Sequence, residues 1–352
     1  MSPKKKPFYK KVLISFLVIF LSGTFIAGFW GYRLVYQPNV SLHGSGSDFF
    51  YIRTGSVFST VLNELTQQNL ILNPASFQRL SELKGYNTKV KPGRYRIRDG
   101  MSNNQLINLL RAGLQEPVQI VFNNIRTKNQ LVSRIGKKLE ADSLQLLSLL
   151  NRPDFTGKFG FNTDNILTLF IPNTYEIYWN TSAEDFMERM DKEYKSFWTS
   201  GRKNRARELN LSAQDVSILA SIVQAEQNRY DDEKPVIAGL YLNRLKSGMP
   251  LQSDPTLIYA AGDFSISRVL NSDKNIESLY NTYRHSGLPP GPICLPEISS
   301  IDAVLNFRES NYFYMCAKED FSGRHHFAET IEQHKVYAKR YREALDKHNI
   351  KR

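Results

Sequence analysis

Residues 12–32 form an uncharged run of 21, and nothing else in the chain restricts its folding as much. At about 1.5 Å per residue a helix of that length reaches roughly 30 Å, the thickness of a bilayer's hydrocarbon core. Residues 1–11 hold Lys4, Lys5, Lys6, Lys10 and Lys11 and no acid. Such a cluster stays on the cytoplasmic side, which places everything after Arg33 outside. A cleaved signal peptide is the rival reading. The run is long for one, and it ends in Phe29-Trp30-Gly31-Tyr32 rather than at small residues suited to cleavage. The expected organisation is a cytoplasmic tail at 1–11, a single transmembrane helix at 12–32 and a linker at 33–48. Ahead of the rest lies the cytoplasmic (inner) membrane, with the functional part on its outer, periplasmic face.

The 320 residues beyond the run suffice for two domains. Of the net charge of +12, five positive charges precede the run, leaving +7 outside. That balance favours anionic partners such as cell-wall carboxylates or lipid head groups. Nucleic acid is argued against by the scatter of the charges, the lack of a binding signature and the exterior placement. Only Cys294 and Cys316 occur. They could pair in an oxidising compartment, though two cysteines in so large a chain are more often unpaired, and sequence does not settle their separation.

Local patterns predict a mixed α+β fold. Phe49-Phe50-Tyr51-Ile52 reads as a strand. Val57, Val61, Leu62 and Leu65 follow at helical spacing, and residues 75–83 give another helix. Arg94-Tyr95-Arg96-Ile97 is a strand after the turn Lys91-Pro92-Gly93. Residues 103–112 are helical, with Gly113 placed to end them. This makes a small α+β module at 49–115. A helix-rich α+β domain is expected at 116–352. In it Leu131, Ile135 and Leu139 share a helix face. Ser182 and Asp185 open a helix that buries Phe186, Met190, Tyr194 and Phe197. Near the end, residues 312–317 and His325-His326-Phe327 read as paired strands, and residues 330–347 as a closing amphipathic helix with His334. Adjacent strand residues face opposite sides, so His325 and His326 do not share a metal, and no metal or cofactor is expected.

The most chemically informative segment is 219–256. Ser212-Ala213-Gln214-Asp215 opens a helix carrying Val216, Leu219, Ile222 and Val223. Glu226 follows Val223 by three, Ile222 by four and Leu219 by seven, which puts its side chain on their face. A carboxyl held against apolar groups has its charged form disfavoured, so it stays protonated towards neutral pH and can act as an acid. A solvated carboxylate in a final helical turn is the alternative. Asp231-Asp232-Glu233 with Pro235 begins the next helix, which carries Asn243 and Arg244 near its end. Asp254-Pro255 then reads as cap and first-turn proline of a short helix. The loop Gly287-Leu288-Pro289-Pro290-Gly291-Pro292-Ile293 is stiff and irregular, and could wall a cleft or simply turn the chain.

These residues carry a resemblance. Ala220-Ser221-Ile222-Val223-Gln224-Ala225-Glu226, Leu242-Asn243-Arg244-Leu245, Leu251-Gln252-Ser253-Asp254-Pro255-Thr256, Tyr280-Asn281-Thr282-Tyr283, the 287–293 loop and Gly323-Arg324-His325-His326-Phe327 with His334 together resemble the YceG-like (MltG) family of endolytic murein transglycosylases. Lys91-Pro92-Gly93-Arg94-Tyr95 and Phe170-Ile171-Pro172-Asn173-Thr174-Tyr175 do so upstream. The resemblance implies a LysM-like module, matched by 49–115, and a catalytic domain at 116–352. It implies one catalytic glutamate, Glu226, with substrate-binding support from Asn243, Gln252, Ser253, Asp254, Tyr283 and His325. Family members commonly carry a second acid where this chain has Gln224, and an amide does not exchange protons as a carboxyl does. The implied partners are peptidoglycan glycan strands, the inner membrane and, on the resemblance alone, the cell-wall synthesis machinery. The implied reaction cleaves the MurNAc-β-1,4-GlcNAc bond and leaves 1,6-anhydro-MurNAc ends. A two-carboxylate hydrolase using Glu226 with Asp254 is the alternative enzyme. A non-catalytic wall-binding or division-scaffold protein is the alternative outside enzymology.

Overall fold

The structure, a computed structural model, describes residues 8–42, 48–266 and 268–348. Lys4, Lys5 and Lys6 of the basic tail, and positions 43–47 of the expected linker, lie outside the described residues. Two compact units are present, Met1–Val118 with Ile177–Asn180, and Gln119–Glu176 with Thr181–Arg352.

In the first unit, helix α1 (Phe8–Tyr36) contains the uncharged run and extends it at both ends. Within Tyr9–Tyr36 the most apolar stretch of 18 residues has a mean hydropathy of 2.4 and is not buried against the protein. Strand β1 (Phe49–Ile52), helices α2 (Phe58–Gln67) and α3 (Pro74–Leu83), strand β2 (Gly93–Arg96) and helix α4 (Asn103–Ala112) follow. β1 and β2 pair antiparallel, Phe50 opposite Tyr95 and Ile52 opposite Gly93. The alternation along β1 sends Phe50 and Ile52 inward, where they meet Val61 and Leu65 of α2, Phe77 and Leu80 of α3, and Leu106, Ile107 and Leu110 of α4. α4 is closed at both ends. Ser102 and Gln105 form a reciprocal capping box, and Gly113 takes the left-handed conformation at φ 75°.

The end of α1 is tied into this module by buried amides. Asn103 Nδ2 donates to the Leu34 carbonyl at 3.1 Å and to Ser76 Oγ at 2.9 Å, while its Oδ1 accepts from Asn39 Nδ2 at 2.7 Å. Asn39 Oδ1 in turn accepts from the Asn73 amide at 2.7 Å. Leu34 lies in the last turn of α1, where carbonyls have no helical partner, and Asn103 supplies one.

The second unit contains β3 (Val118–Val121) paired with β4 (Thr174–Ile177), apart from their end residues Val118 and Ile177, and the helices α5 (Lys128–Gly136), α6 (Ser143–Leu150), α7 (Pro153–Thr156), α8 (Ala183–Phe197) and α9 (Ser200–Glu208). Its centre is α10 (Ala213–Glu226), packed against α11 (Lys234–Lys246), α12 (Asp254–Ala261) and α13 (Ile298–Leu305). The antiparallel pair β5 (Tyr314–Ala317) and β6 (His325–Ala328) is covered by α14 (Ile331–Lys347). Residues 216–223 of α10 are all buried, so this helix is enclosed on every side rather than presenting one apolar face. α11 comes unusually close to the chain after α13. A Cβ at Gly239 would stand 2.3 Å from the Arg308 carbonyl oxygen. The 287–293 loop is held similarly, since a Cβ at Gly291 would meet the Asp164 carbonyl oxygen at 2.1 Å.

Asn103→Ala removes three hydrogen bonds and leaves one Asn39 Nδ2 hydrogen without its acceptor, the other staying on the Asn73 carbonyl at 3.1 Å. It is expected to destabilise the first unit by about 1–3 kcal/mol, read as a lower urea midpoint of the far-ultraviolet transition with unchanged slope.

Candidate active site

Glu226 is the last residue of α10, with Gln227 already extended at φ −140°. Its carboxyl is buried, as the helix periodicity suggested, and the cavity it faces is also lined by Leu240, Leu251 and Ile258. Two hydroxyls from other segments meet the carboxyl. Tyr241 of α11 donates to Oε1 at 2.6 Å, and Ser253 donates to the same oxygen at 2.5 Å. Oε2 is thereby the oxygen left to exchange a proton with a bound molecule. Burial pushes the Glu226 carboxyl up, and the Ser253 and Tyr241 hydrogen bonds oppose it. Burial wins, helped by the Asp254 charge, and the group stands above the ordinary carboxylate range. Burial likewise takes the Tyr241 hydroxyl far above its usual range, so it remains a donor.

Glu226 opens into a cavity of about 830 Å³ whose wall also includes Tyr241, Arg244, Gln252, Asp254, Tyr283 and His325. Asp254 was expected to cap its short helix. Instead Ser253 occupies the N-cap position without capping, because its hydroxyl goes to Glu226, and Asp254 is the first helical residue. The Asp254 carboxylate accepts from the Tyr283 hydroxyl at 2.5 Å. Thr282 pins this loop. Its carbonyl takes the Gln252 amide at 3.0 Å, and its hydroxyl takes the Ser253 amide at 3.0 Å. Gln252 adopts φ 50°, in the left-handed region, which leaves its side chain exposed on the cavity wall.

His325 enters from β6. Burial would raise the Glu233 carboxyl, but hydrogen bonds from Gln227 and His325 outweigh it and leave the group ionised and lowered. A carboxylate only accepts, so His325 Nδ1 donates across 3.1 Å to Glu233 Oε2 and the ring presents Nε2 elsewhere. His326 is on the other side of the strand, with Nε2 on Glu319 at 2.8 Å and its ring stacked on Tyr337. Among the described residues no cluster of His, Cys, Asp and Glu is arranged to hold a metal. Cys294 and Cys316 are both free thiols, and burial pushes the Cys294 thiol up to about 12.

The sequence-expected residues therefore divide. Glu226, Gln252, Asp254, Tyr283 and His325 line one cavity, and Ser253 reaches it through the Glu226 carboxyl. Asn243 faces elsewhere. Its amide donates to the carbonyls of Ser310 and Tyr312 at 2.7 and 3.0 Å, holding the chain ahead of β5. Gln224 also turns away, accepting from the Glu297 amide and the Ser300 hydroxyl.

The profile of the YceG-like family matches residues 50–340. This chain belongs to the YceG-like family. An endolytic murein transglycosylase of Bacillus subtilis is 29% identical over 82% of this chain and 83% of its own length. One of Streptococcus pneumoniae is 27% identical over 92% of this chain, which spans 64% of that longer protein. The crystal structure of a YceG-like protein of Listeria monocytogenes superimposes with a TM-score of 0.56 at 25% identity, over 82% of this chain and 97% of that one.

Within this YceG-like domain, three contributors were given no site role by the sequence. Tyr241 is 15 residues beyond Glu226 and carries no local signal. Glu233 looked only like a helix-start acid, yet it orients His325. Arg244 is buried among carbonyls, donating to Phe313, Pro250 and Leu251.

A carboxyl raised in the folded state stabilises the fold fully below its unfolded value, about 4.3. That contribution is lost as pH rises through the folded value. Glu226→Gln removes the burden of the buried charge. Its melting temperature is expected to match wild type near pH 4 and to exceed it at pH 8, with about 1.4 kcal/mol for each unit by which the folded carboxyl is raised. Thermal scans across pH check this.

Proposed function

We propose that this protein is a membrane-anchored lytic transglycosylase that cuts peptidoglycan glycan strands internally. Support comes from membership of the YceG-like family, from relatives named endolytic murein transglycosylases, and above all from Glu226, a raised carboxyl opening into a cavity large enough for sugar residues. Glu226 gives the proton on Oε2 to the glycosidic oxygen of the MurNAc-β-1,4-GlcNAc bond. Positive charge then develops at the muramic C1. The Tyr241 and Ser253 hydroxyls hold Oε1 and stabilise the carboxylate as the proton leaves, so the acid is neither too weak nor misaligned. The muramic 6-hydroxyl attacks C1 while Glu226 takes its proton back, and the product is a 1,6-anhydro end. Because that nucleophile is part of the substrate, no second carboxylate is required to bring water, and little encounter entropy remains to be lost.

Gln252, Asp254, Tyr283 and His325, which line the cavity, bind the sugar hydroxyls and amides in this reading, and Asn243 acts from behind by holding the chain before β5. The domains are assigned as a LysM-like wall-binding module at 49–115 and the catalytic domain at 116–352. α1 serves as a single-pass anchor with its N-terminus inside, keeping the catalytic domain on the outer face next to the strand-synthesis machinery. The second enzyme reading, a hydrolase using Asp254, is kept by the presence of that carboxylate in the same cavity.

Incubating the protein with glycan strands and identifying the new ends by mass spectrometry separates the two. Anhydro ends are expected, and reducing muramic ends would assign the hydrolase. Glu226→Gln is expected to lower kcat by at least about a hundredfold, the scale of a lost general acid. Tyr241→Phe and Ser253→Ala each remove a donor to the ionised carboxyl. Both are expected to move the alkaline limb of the kcat profile to higher pH, while Asn243→Ala leaves that limb in place.

A further inference from the structure

A second cavity of about 320 Å³ adjoins the first. The two share a wall. Gln224 and Ala225 face the second cavity, Glu226 faces the first, and Ile258 of α12 belongs to both. Consecutive Cα atoms stand about 3.8 Å apart, so only the thickness of one helical turn separates this space from the proton-donating carboxyl.

Its chemistry differs from that of a sugar subsite. Arg126 and Glu297 line it, both exposed, and neither forms an ion pair among the described residues. The Arg126 guanidinium lies over the Phe264 ring at 4.9 Å, which holds a planar, weakly hydrated cation without using up its donors. Glu297 is fixed from its backbone, where its amide donates to Gln224 Oε1. Tyr259 adds a half-buried aromatic surface, backed by Tyr280 at 4.7 Å between centroids. An unpaired cation and an unpaired anion on one small cavity match a ligand carrying both charges. A glycan strand stripped of its peptides carries only the lactyl carboxylates of its muramic residues and no cation. The muramic residue, however, bears a stem peptide on its lactyl group, and that peptide has free carboxylates and a diamino acid with a free amine.

We propose that this second cavity binds the stem peptide of the muramic residue being cut, with Arg126 taking a peptide carboxylate and Glu297 the diamino-acid amine. The assignment rests on the glycan-cleaving reading above and adds the part of the substrate that sets its preference. A peptide of four residues reaches at most about 14 Å, enough to pass from a sugar at Glu226 around the last turn of α10. A guanidinium and a carboxylate pair through two parallel hydrogen bonds, so the contact selects peptide-bearing strands rather than merely attracting anions.

The test uses the full-length protein with two substrates: peptide-bearing strands, and the same strands after an amidase has removed the stem peptides. Arg126→Ala is expected to lower kcat/KM on peptide-bearing strands by about tenfold or more, the scale of a lost charged hydrogen bond, and to leave cleavage of the stripped strands unchanged. Glu297→Gln is expected to do the same, and its effect should vanish once the stem amines are acetylated. Titration with free stem peptide gives an independent reading, with binding by wild type and at least tenfold weaker binding by Arg126→Ala. Equal loss on both substrates, or no loss on either together with unchanged peptide binding, overturns the inference. A wild-type protein that cuts neither substrate would instead count against the glycan-cleaving reading, and peptide binding would still report on this cavity separately.

Discussion

Two hydroxyls on one carboxylate oxygen organise the second unit. Glu226 ends α10, Tyr241 sits two turns into α11, and Ser253 precedes α12, so a single oxygen fixes three segments that are remote in sequence. Burial alone would hold the carboxyl so firmly neutral that it would be a poor acid. The hydroxyls pull the other way, and the opposition leaves a group that is protonated more readily than a surface carboxylate yet still able to release its proton. Ser253 gives up the ordinary capping role to make this contact, and the Thr282 hydroxyl and carbonyl hold the loop in its place.

Around that contact the supporting polar groups are almost all satisfied, which matters because a half-paired buried network costs more than an apolar one. Gln227 bonds Glu233 and the Gly323 carbonyl while its own carbonyl takes the Arg229 and Tyr230 amides. Glu233 then positions His325. Among the described residues Arg244 forms no ion pair with a carboxylate. Three backbone carbonyls receive its donors, tying the chain before Gln252 to the start of β5. Gly239 lets α11 approach Arg308 closely enough for these bonds to form on one side of the helix and the Tyr241 contact on another. The first unit uses the same device on a smaller scale, where Asn103 and Asn39 join the last turn of the apolar helix to the module that follows.

Much of this was legible in the chain. The uncharged run lies inside α1, the 49–52 strand and the 103–112 helix have the bounds their patterns suggest, and the capping residues Ser182 and Ser212 stand where expected. Those features depend on neighbours a few residues apart, and local periodicity reports such neighbours well. Only part of the Glu226 environment was legible, for the opposite reason. Its spacing from Leu219, Ile222 and Val223 placed it at the end of a buried helix, where burial raises the carboxyl, but spacing does not report the hydroxyls that reach it from α11 and the 252–253 loop. α9, strongly charged and lacking an apolar stripe, gave periodicity nothing to detect.

The sequence by itself determined which acid could matter, that it closes a helix, and that an apolar segment precedes everything else, because each follows from residue type and short spacing. Only the tertiary structure decided what surrounds that acid: which hydroxyls reach it, that Asn243 and Gln224 turn away from it, and that Arg126 and Glu297 share a cavity beside it. Those relations join residues 15 to 171 positions apart, and such distances are closed by helix packing and loop anchoring, which no run of adjacent residues encodes.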